Sequence, residues 1–273
     1  MSDRITEPTG TVHWIGTGLS TGRTGLTALD RTADVVLWGR TRDRAQARLD
    51  TLGVEAPVTV RGLDVDDPAE ALRPGDLLVS MLPAAHHPGL LRTAIDVGAH
   101  FACTSYTSPE IEALAREAGE RRLTVLTEAG LDPGIDHLMA HLLVGRARER
   151  LGEDDVRVSL ASHCGGIPAE PGEFRYQFSW APLGVLTALA SPARYVRDGA
   201  VHETPRPWEA CEDYRLDGEV FEVYPNRDST GFIAQYGFPA GWATESFVRG
   251  TLRPQGWKRA WKDVFDVVDS GDR

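Results

Sequence analysis

The sequence predicts an α/β protein, with a Rossmann-like, doubly wound parallel sheet followed by a second, mixed α/β domain. Three observations carry this expectation. Short apolar, β-rich runs alternate with helical patterns through the first half of the chain. The first of these runs ends in a glycine-rich turn that opens a helix. Beyond about residue 129 the composition shifts towards Trp, Tyr, Pro and Gly.

The strand-like runs come in order: "TVHWIG" (11–16), "DVVLWG" (34–39), "VTVRGLDV" (58–65), "DLLVSML" (76–82), "HFACTS" (100–105) and "LTVLTE" (123–128). Between them lie helical patterns such as "RDRAQARLDTLG" and "PGLLRTAIDVGA". "SPEIEALAREAGERR" is the clearest. Ser108 suits an N-cap, Pro109 suits the first helical position, and Ile111, Leu114, Ala115 and Ala118 share a face. A further helix is expected over 133–148. After it, "DDVRVSLASHCGG" and "GEVFEVYPN" read as strands and "GVLTALASPARYV" as a short helix. The expected domains are 1–128 for NADP(H) binding and 129–273 for substrate binding and dimerisation, with a C-terminally shortened form of the second as one expectation.

With 273 residues, 41% of them apolar, the chain can bury a sizeable core. Its net charge of −11 argues against nucleic acid and anionic membranes as partners. Cys103, Cys164 and Cys211 are odd in number and far apart, so a reducing cytoplasm is expected rather than a disulfide framework. The N-terminal "MSDRITEPTG" has no signal-peptide core, and no apolar run approaches the roughly 20 residues that span a bilayer.

In "WIGTGLSTGRTGLTAL", Gly16 and Gly18 fit the first two positions of a dinucleotide fingerprint. The first allows a tight turn and the second lets the backbone approach a pyrophosphate at the helix N-terminus. Thr21 occupies the third position and Gly22 comes one later. Leu19 and Ser20 complete the candidate loop. At the end of the second strand an NAD site usually has an acid for the ribose hydroxyl; "WGRTRDR" offers Arg40 and Thr41 instead. A guanidinium suits a 2′-phosphate, so NADP(H) is favoured over NAD(H).

The stretch "TEAGLDPGIDHLMAH" (127–141) concentrates acids, histidines and glycines. Asp132 is expected to cap a helix beginning at Pro133, with Ile135, Leu138, Met139, Leu142 and Leu143 as an apolar stripe of the kind that faces a core. His137 and His141 lie four apart, but Leu138 stands where a zinc-peptidase motif needs Glu, and no second ligand cluster has clean spacing. No metal is expected.

"TEAGLDPGIDHLMA" resembles the signature of the saccharopine dehydrogenase (L-glutamate-forming), or saccharopine reductase, family. "TSYTSPEI" (104–111), "SHCGGIPAEP" (162–171), "YQFSWAPLGVLTAL" (176–189), "VYPNRDSTGF" (223–232) and "RGTLRPQGW" (249–257) carry the same resemblance in order. Two positions depart from it: Gln177 stands in place of a lysine, and Leu183 where the family often has arginine. Family members also continue beyond "GWKRAWKDVF" with a helical segment and a return to the first domain.

The resemblance implies oxidation of a secondary amine by NADP+, or the reverse reductive condensation, in lysine metabolism. It implies substrate contacts from Ser105, Tyr106, Asp132, Cys164, Gly165 and Arg227. Arg227 suits a carboxylate clamp. Asp132 and Tyr106 are acid/base candidates. Cys164 is a third candidate at the reacting centre, read as lining the pocket rather than attacking. Ser80, Leu82 and Pro83 follow the fourth strand and should border the nicotinamide. His86 and His87 read as solvent-facing, and Cys103 as core. Trp180, Trp208, Trp242, Trp257 and Trp261 are expected over the substrate crevice or at a homodimer interface. The alternatives are a non-catalytic NADP(H)-binding sensor or scaffold, a carboxynorspermidine-type dehydrogenase, and a metallohydrolase on His137, His141, His163 and Cys164.

Overall fold

A computed structural model describes residues 5–270. They divide into two units between Ile135 and Asp136. That is later than the boundary expected from composition, because the turn after residue 128 is hydrogen-bonded to the first unit: Ala129 N donates to Cys103 O at 3.1 Å.

In the first unit, β1 (Thr11–Ile15), β2 (Asp34–Gly39), β3 (Thr59–Gly62), β4 (Leu77–Ser80), β5 (His100–Cys103) and β6 (Val125–Leu126) form one sheet. All neighbours run parallel, in the order β3-β2-β1-β4-β5-β6. The strand order reverses between β1 and β4, and in such sheets ligands bind beyond the strand C-termini at that point. The crossovers are α1 (Arg23–Asp30), α2 (Arg42–Leu52), α3 (Pro68–Ala71), α4 (His87–Val97) and α5 (Pro109–Glu120). Adjacent strand residues serve opposite faces. Leu37 packs with Leu26, Ala45 and Leu49, whereas Trp38 packs with Leu78, Leu91, Ile95 and Phe101. The α5 start is as expected: Ser108 Oγ accepts from Ile111 N at 3.2 Å, Pro109 opens the helix, and Ile111 and Ala118 are buried.

The second unit is built on α6 (Ile135–Leu151) and β7 (Asp154–Cys164), followed by α7 (Pro182–Leu189), β8 (Ala193–Arg197), β9 (Ala200–Thr204), β10 (Glu212–Leu216) and β11 (Glu219–Pro225). It continues with α8 (Phe232–Gln235), β12 (Gly241–Pro254), α9 (Trp257–Ala260) and α10 (Lys262–Ser270). Its sheet runs β10-β11-β12-β8-β9 with antiparallel neighbours, and β7 pairs parallel with β12. The segment expected as one short helix changes type: α7 stops at Leu189 and β8 takes the rest. Pro192 lies between them, lacks an N–H and disfavours helix in the residue before it.

Two packing expectations are corrected. The large apolar residues of α6 face outward: Leu138 is 70% exposed and Met139 60%. The buried row is Asp136, Ala140 and Val144. Small side chains there let the helix approach the rings of Tyr236, Trp242 and Phe247. Of the five tryptophans expected over the crevice or at an interface, Trp208, Trp242, Trp257 and Trp261 are core residues and Trp180 is exposed. Trp208, Trp257 and Trp261 pack with Tyr176, Tyr224 and Phe265, and Trp208 stacks on Phe265 at 4.9 Å.

Candidate active site

The glycine loop leaves β1 at the reversal of strand order. Gly16 has φ +128°, and a Cβ there would lie 3.1 Å from the Met81 backbone beyond β4. That backbone conformation favours glycine, and the approach is tighter than most side chains make. A Cβ at Gly18 would meet no protein atom within 4 Å, so the loop backbone is open at the second fingerprint position. Thr21 at the third position is fully buried and bonds inward: its Oγ1 donates to Gly16 O at 2.8 Å and accepts from Trp14 Nε1 at 3.0 Å. Arg48 of α2 holds the loop from another side, donating to Thr21 O at 2.6 Å and Leu19 O at 3.4 Å. The N-cap of α1, Gly22, provides no side-chain hydrogen bond, and no acid occupies the first turn. The first helical N–H groups and the macrodipole are therefore suited to a pyrophosphate.

Arg40 follows β2 and is exposed, while Thr41 caps α2 by accepting from Arg44 N at 3.2 Å. No acid occupies the position after β2, so this edge fits a 2′-phosphate better than a bare ribose.

The ends of β4, β5 and β6 carry the remaining first-unit residues. Ser80 is fully buried, Leu82 half-buried and Pro83 exposed. Tyr106 Oη donates to Asp132 Oδ1 at 2.8 Å. A second bridge runs beside it, with Glu128 Oε1 accepting from Thr107 N at 3.0 Å and Thr107 Oγ1 at 3.2 Å. The loop after β5 and the loop after β6 are thus joined by several hydrogen bonds, Glu128 N to Ser105 O at 3.1 Å among them, which fix the phenol and the carboxylate against each other.

Asp132 is not the helix cap expected from the sequence. Gly134 has φ +145°, outside the helical range, so α6 cannot begin before Ile135. The glycines of this stretch build a tight turn: Gly130 N donates to Pro133 O at 3.0 Å and Ile135 N to Gly130 O at 2.9 Å. A Cβ at Gly134 would collide with the carbonyls of Gly130 and Glu128.

His87 is a correction to its solvent-facing expectation. It is 2% exposed, with Nδ1 2.9 Å from Ser80 Oγ and Nε2 2.8 Å from Ser105 Oγ. Burial pushes its pKa below the ordinary histidine value, and the His86 charge acts in the same direction. Cys103 is core as expected, its thiol pushed up by burial.

In the second unit, Cys164 ends β7, in register with Thr251 of β12, and is half-buried. A Cβ at Gly165 would collide with Leu252 O and lie 3.2 Å from an Arg253 guanidinium nitrogen, so this position requires glycine. Arg227 is exposed at φ +54°. Its neighbour Asp228 is engaged by Arg194 at 2.9 Å and by Thr230. Arg253 was not singled out by its sequence. It is only 6% exposed and lies over Tyr176, Trp257 and Tyr224 at 4.8, 5.5 and 5.7 Å. Among the described residues it has no carboxylate partner, and its Nε makes no hydrogen bond. Its signal was a cation inside an aromatic strand pattern. Gln177 is exposed, and Leu183, in the first turn of α7, is 76% exposed.

His137 and His141 are engaged by an aromatic cluster. His137 Nδ1 lies 2.8 Å from Tyr236 Oη and its ring stacks on Phe232, while His141 meets the Tyr236 ring edge-on. His163 packs against Tyr214, and burial lowers its pKa. Among the described residues, no three His, Cys, Asp or Glu side chains gather as a metal site, and no helix is long and apolar enough to cross a membrane.

The family model for the saccharopine dehydrogenase NADP binding domain matches residues 12–126, and that for the saccharopine dehydrogenase C-terminal domain matches residues 130–270. The chain belongs to the saccharopine dehydrogenase family. Within that family, the saccharopine dehydrogenase (NADP(+), L-glutamate-forming) of Pyricularia oryzae is 33% identical over 268 residues, covering 95% of this chain and 58% of the relative. The Saccharomyces cerevisiae protein of the same name is 34% identical, covering 84% of this chain and 51% of the relative. The chain therefore spans about half the length of these curated relatives. The mitochondrial alpha-aminoadipic semialdehyde synthase of Rattus norvegicus is 35% identical over 68% of this chain and 20% of its own. Among solved structures, apo saccharopine dehydrogenase (L-Glu forming) from Saccharomyces cerevisiae superimposes with a TM-score of 0.78 at 33% identity, covering 96% of this chain and 58% of that one.

Proposed function

We propose that this chain carries an NADP-dependent, L-glutamate-forming saccharopine dehydrogenase activity. The reading is carried by the Tyr106–Asp132 hydrogen bond of 2.8 Å, which holds a phenol and a carboxylate together beyond the C-terminal ends of a dinucleotide-fold sheet. The names of the fungal relatives support it.

NADP+, when bound, would supply the hydride acceptor for the carbon attached to the secondary amine nitrogen. The chain's own residues do the rest. Gly16, Gly18, Leu19, Ser20 and the α1 N-terminus hold the pyrophosphate, Arg40 and Thr41 the 2′-phosphate, and Ser80, Leu82 and Pro83 border the nicotinamide. Asp132 accepts the proton that the amine releases, and Tyr106 holds that carboxylate in place. Water then adds to the substrate imine, giving glutamate and aminoadipate semialdehyde. Ser105 and Gly165 contact the substrate, Cys164 lines its pocket, and Arg227 binds a carboxylate as a fork. Arg253, buried with no carboxylate partner among the described residues, is a second cation for a substrate with three carboxylates. The reading includes a cytoplasmic homodimer. Cysteines outside any disulfide fit a reducing compartment, and the outward apolar face of α6 offers area for a subunit contact.

The test is the absorbance of reduced nicotinamide when purified chain is given saccharopine with NADP+, and with NAD+ in parallel. Turnover that prefers NADP+ is expected. Tight NADPH binding without turnover on saccharopine would sink the reading. Light scattering gives the subunit number, and a monomer mass would remove the dimer.

A further inference from the structure

The imidazole of His87 lies between two hydroxyls, with Ser80 Oγ at 2.9 Å from Nδ1 and Ser105 Oγ at 2.8 Å from Nε2. These serines end or follow neighbouring parallel strands, β4 and β5. A neutral imidazole has one N–H donor and one bare acceptor nitrogen, whereas a hydroxyl can fill either role. Two arrangements are therefore conceivable. If Nδ1 carried the proton, it would donate to Ser80, and the hydroxyl hydrogen of Ser80 would need another acceptor. Ser80 is fully buried, and His87 is its hydrogen-bond partner among the described side chains. A buried, unmade donor is costly. If Nε2 carries the proton, no donor at the fully buried end of the chain is left over. Ser80 donates to Nδ1, Nε2 donates to Ser105, and the Ser105 hydrogen is left to face a ligand from a half-buried position.

We propose that His87 is a positioning residue that sets the polarity of Ser105: held as the Nε2–H tautomer by Ser80, it makes the Ser105 hydroxyl an outward donor for a substrate carboxylate oxygen. This rests on the substrate reading above, because the acceptor class comes from it. The relay itself rests on geometry: an order Ser80, His87, Ser105 in which the direction of each bond follows from the one before. It also explains why a histidine fills this buried position. A phenylalanine would supply the volume and contact Phe101 as His87 does, edge-on at 6.4 Å, yet would leave both hydroxyls unoriented.

The experiment combines imidazole nitrogen NMR with kinetics on the full chain. In wild type, the His87 nitrogen shifts should show a single neutral Nε2–H tautomer. In Ser80→Ala they should move to a mixture of tautomers. An Nδ1–H tautomer in wild type, or unchanged shifts in Ser80→Ala, would overturn the proposal. In kinetics, His87→Phe should lower kcat/KM for saccharopine about tenfold, the scale of one oriented hydrogen bond. It should cost nothing further in a Ser105→Ala background. His87→Gln, whose amide nitrogen can replace Nε2–H, should recover most of the loss. Equal losses from His87→Phe in both backgrounds would reduce His87 to a packing residue. A wild type without saccharopine turnover would defeat the substrate reading alone, and the nitrogen shifts would still decide the relay. If His87→Phe does not fold, His87→Gln and Ser80→Ala carry the test.

Discussion

Tyr106 Oη donates to Asp132 Oδ1 across 2.8 Å, tying the loop that follows β5 to the loop that follows β6. If the two form the acid/base pair proposed above, they should act as one unit. Asp132→Asn is expected to lower kcat by about 100-fold or more, the scale of a lost general base. Tyr106→Phe should cost less, and the double variant should lose far less than the product of the two. Steady-state kinetics of the three variants checks this. Multiplicative losses would mean that the two groups act separately.

Arg40 stands beyond β2 without an acid beside it in sequence. Arg40→Ala should raise KM for NADP+ about tenfold or more, the range of one charged hydrogen bond, and leave KM for NAD+ nearly unchanged. Parallel titration with both dinucleotides reads this directly. An equal loss for both would place the 2′-phosphate elsewhere.

Gly16→Ala should abolish NADPH binding while the chain still folds. The added methyl meets the Met81 backbone at 3.1 Å in a φ region that side chains avoid, and relief requires the loop to move. NADPH fluorescence titration, with circular dichroism as the folding control, gives the answer.

His13, His87 and His163 are all pushed below the ordinary histidine pKa by burial, with Asp76 opposing the effect at His13. As pH falls, the unfolded chain takes up protons at these residues before the folded chain does. Stability from them is therefore complete above about pH 6.5 and declines as pH drops through their folded-state values. The urea midpoint should be lower at about pH 5.5 than at about pH 7.5. A midpoint that rises on acidification would contradict the burial.

Arg249 donates to Asp136 at 2.5 Å inside the second unit, and both side chains are buried. Asp136→Ala should destabilise that unit by about 3–5 kcal/mol, because it removes the carboxylate of a buried ion pair and leaves the guanidinium charge buried. Urea denaturation followed by tryptophan fluorescence, which reports on the second unit's aromatic core, measures it.

The first unit was legible because a parallel sheet buried on both faces writes continuous apolar runs, and because turn residues such as Ser108 and Pro109 state where a helix begins. The same reading failed on α6. Size was taken for burial, whereas Ala140 and Val144 face the aromatic rings and Leu138 and Met139 do not. It also failed at His87, since nothing in "SMLPAAHH" announces that parallel pairing will bring Ser80 beside the β5 end, where Ser105 follows. The glycines of "EAGLDPG" had no explanation until the turn through Gly130 and Pro133 supplied one. Residues that work through a neighbour in their own element can be read from a sequence. Residues that work through a neighbouring strand become visible only once the register is known.

The grip of Arg48 on the carbonyls of Leu19 and Thr21 makes α2 a strut. The segment that leads into this helix presents Arg40 and Thr41, while its middle anchors the glycine loop. Both ends of the dinucleotide cradle are therefore braced by a single rod. If Arg40 reads the 2′-phosphate as proposed, coenzyme preference should be open to re-engineering at Arg40 with the diphosphate grip intact, whereas a change that slides the rod should loosen both at once.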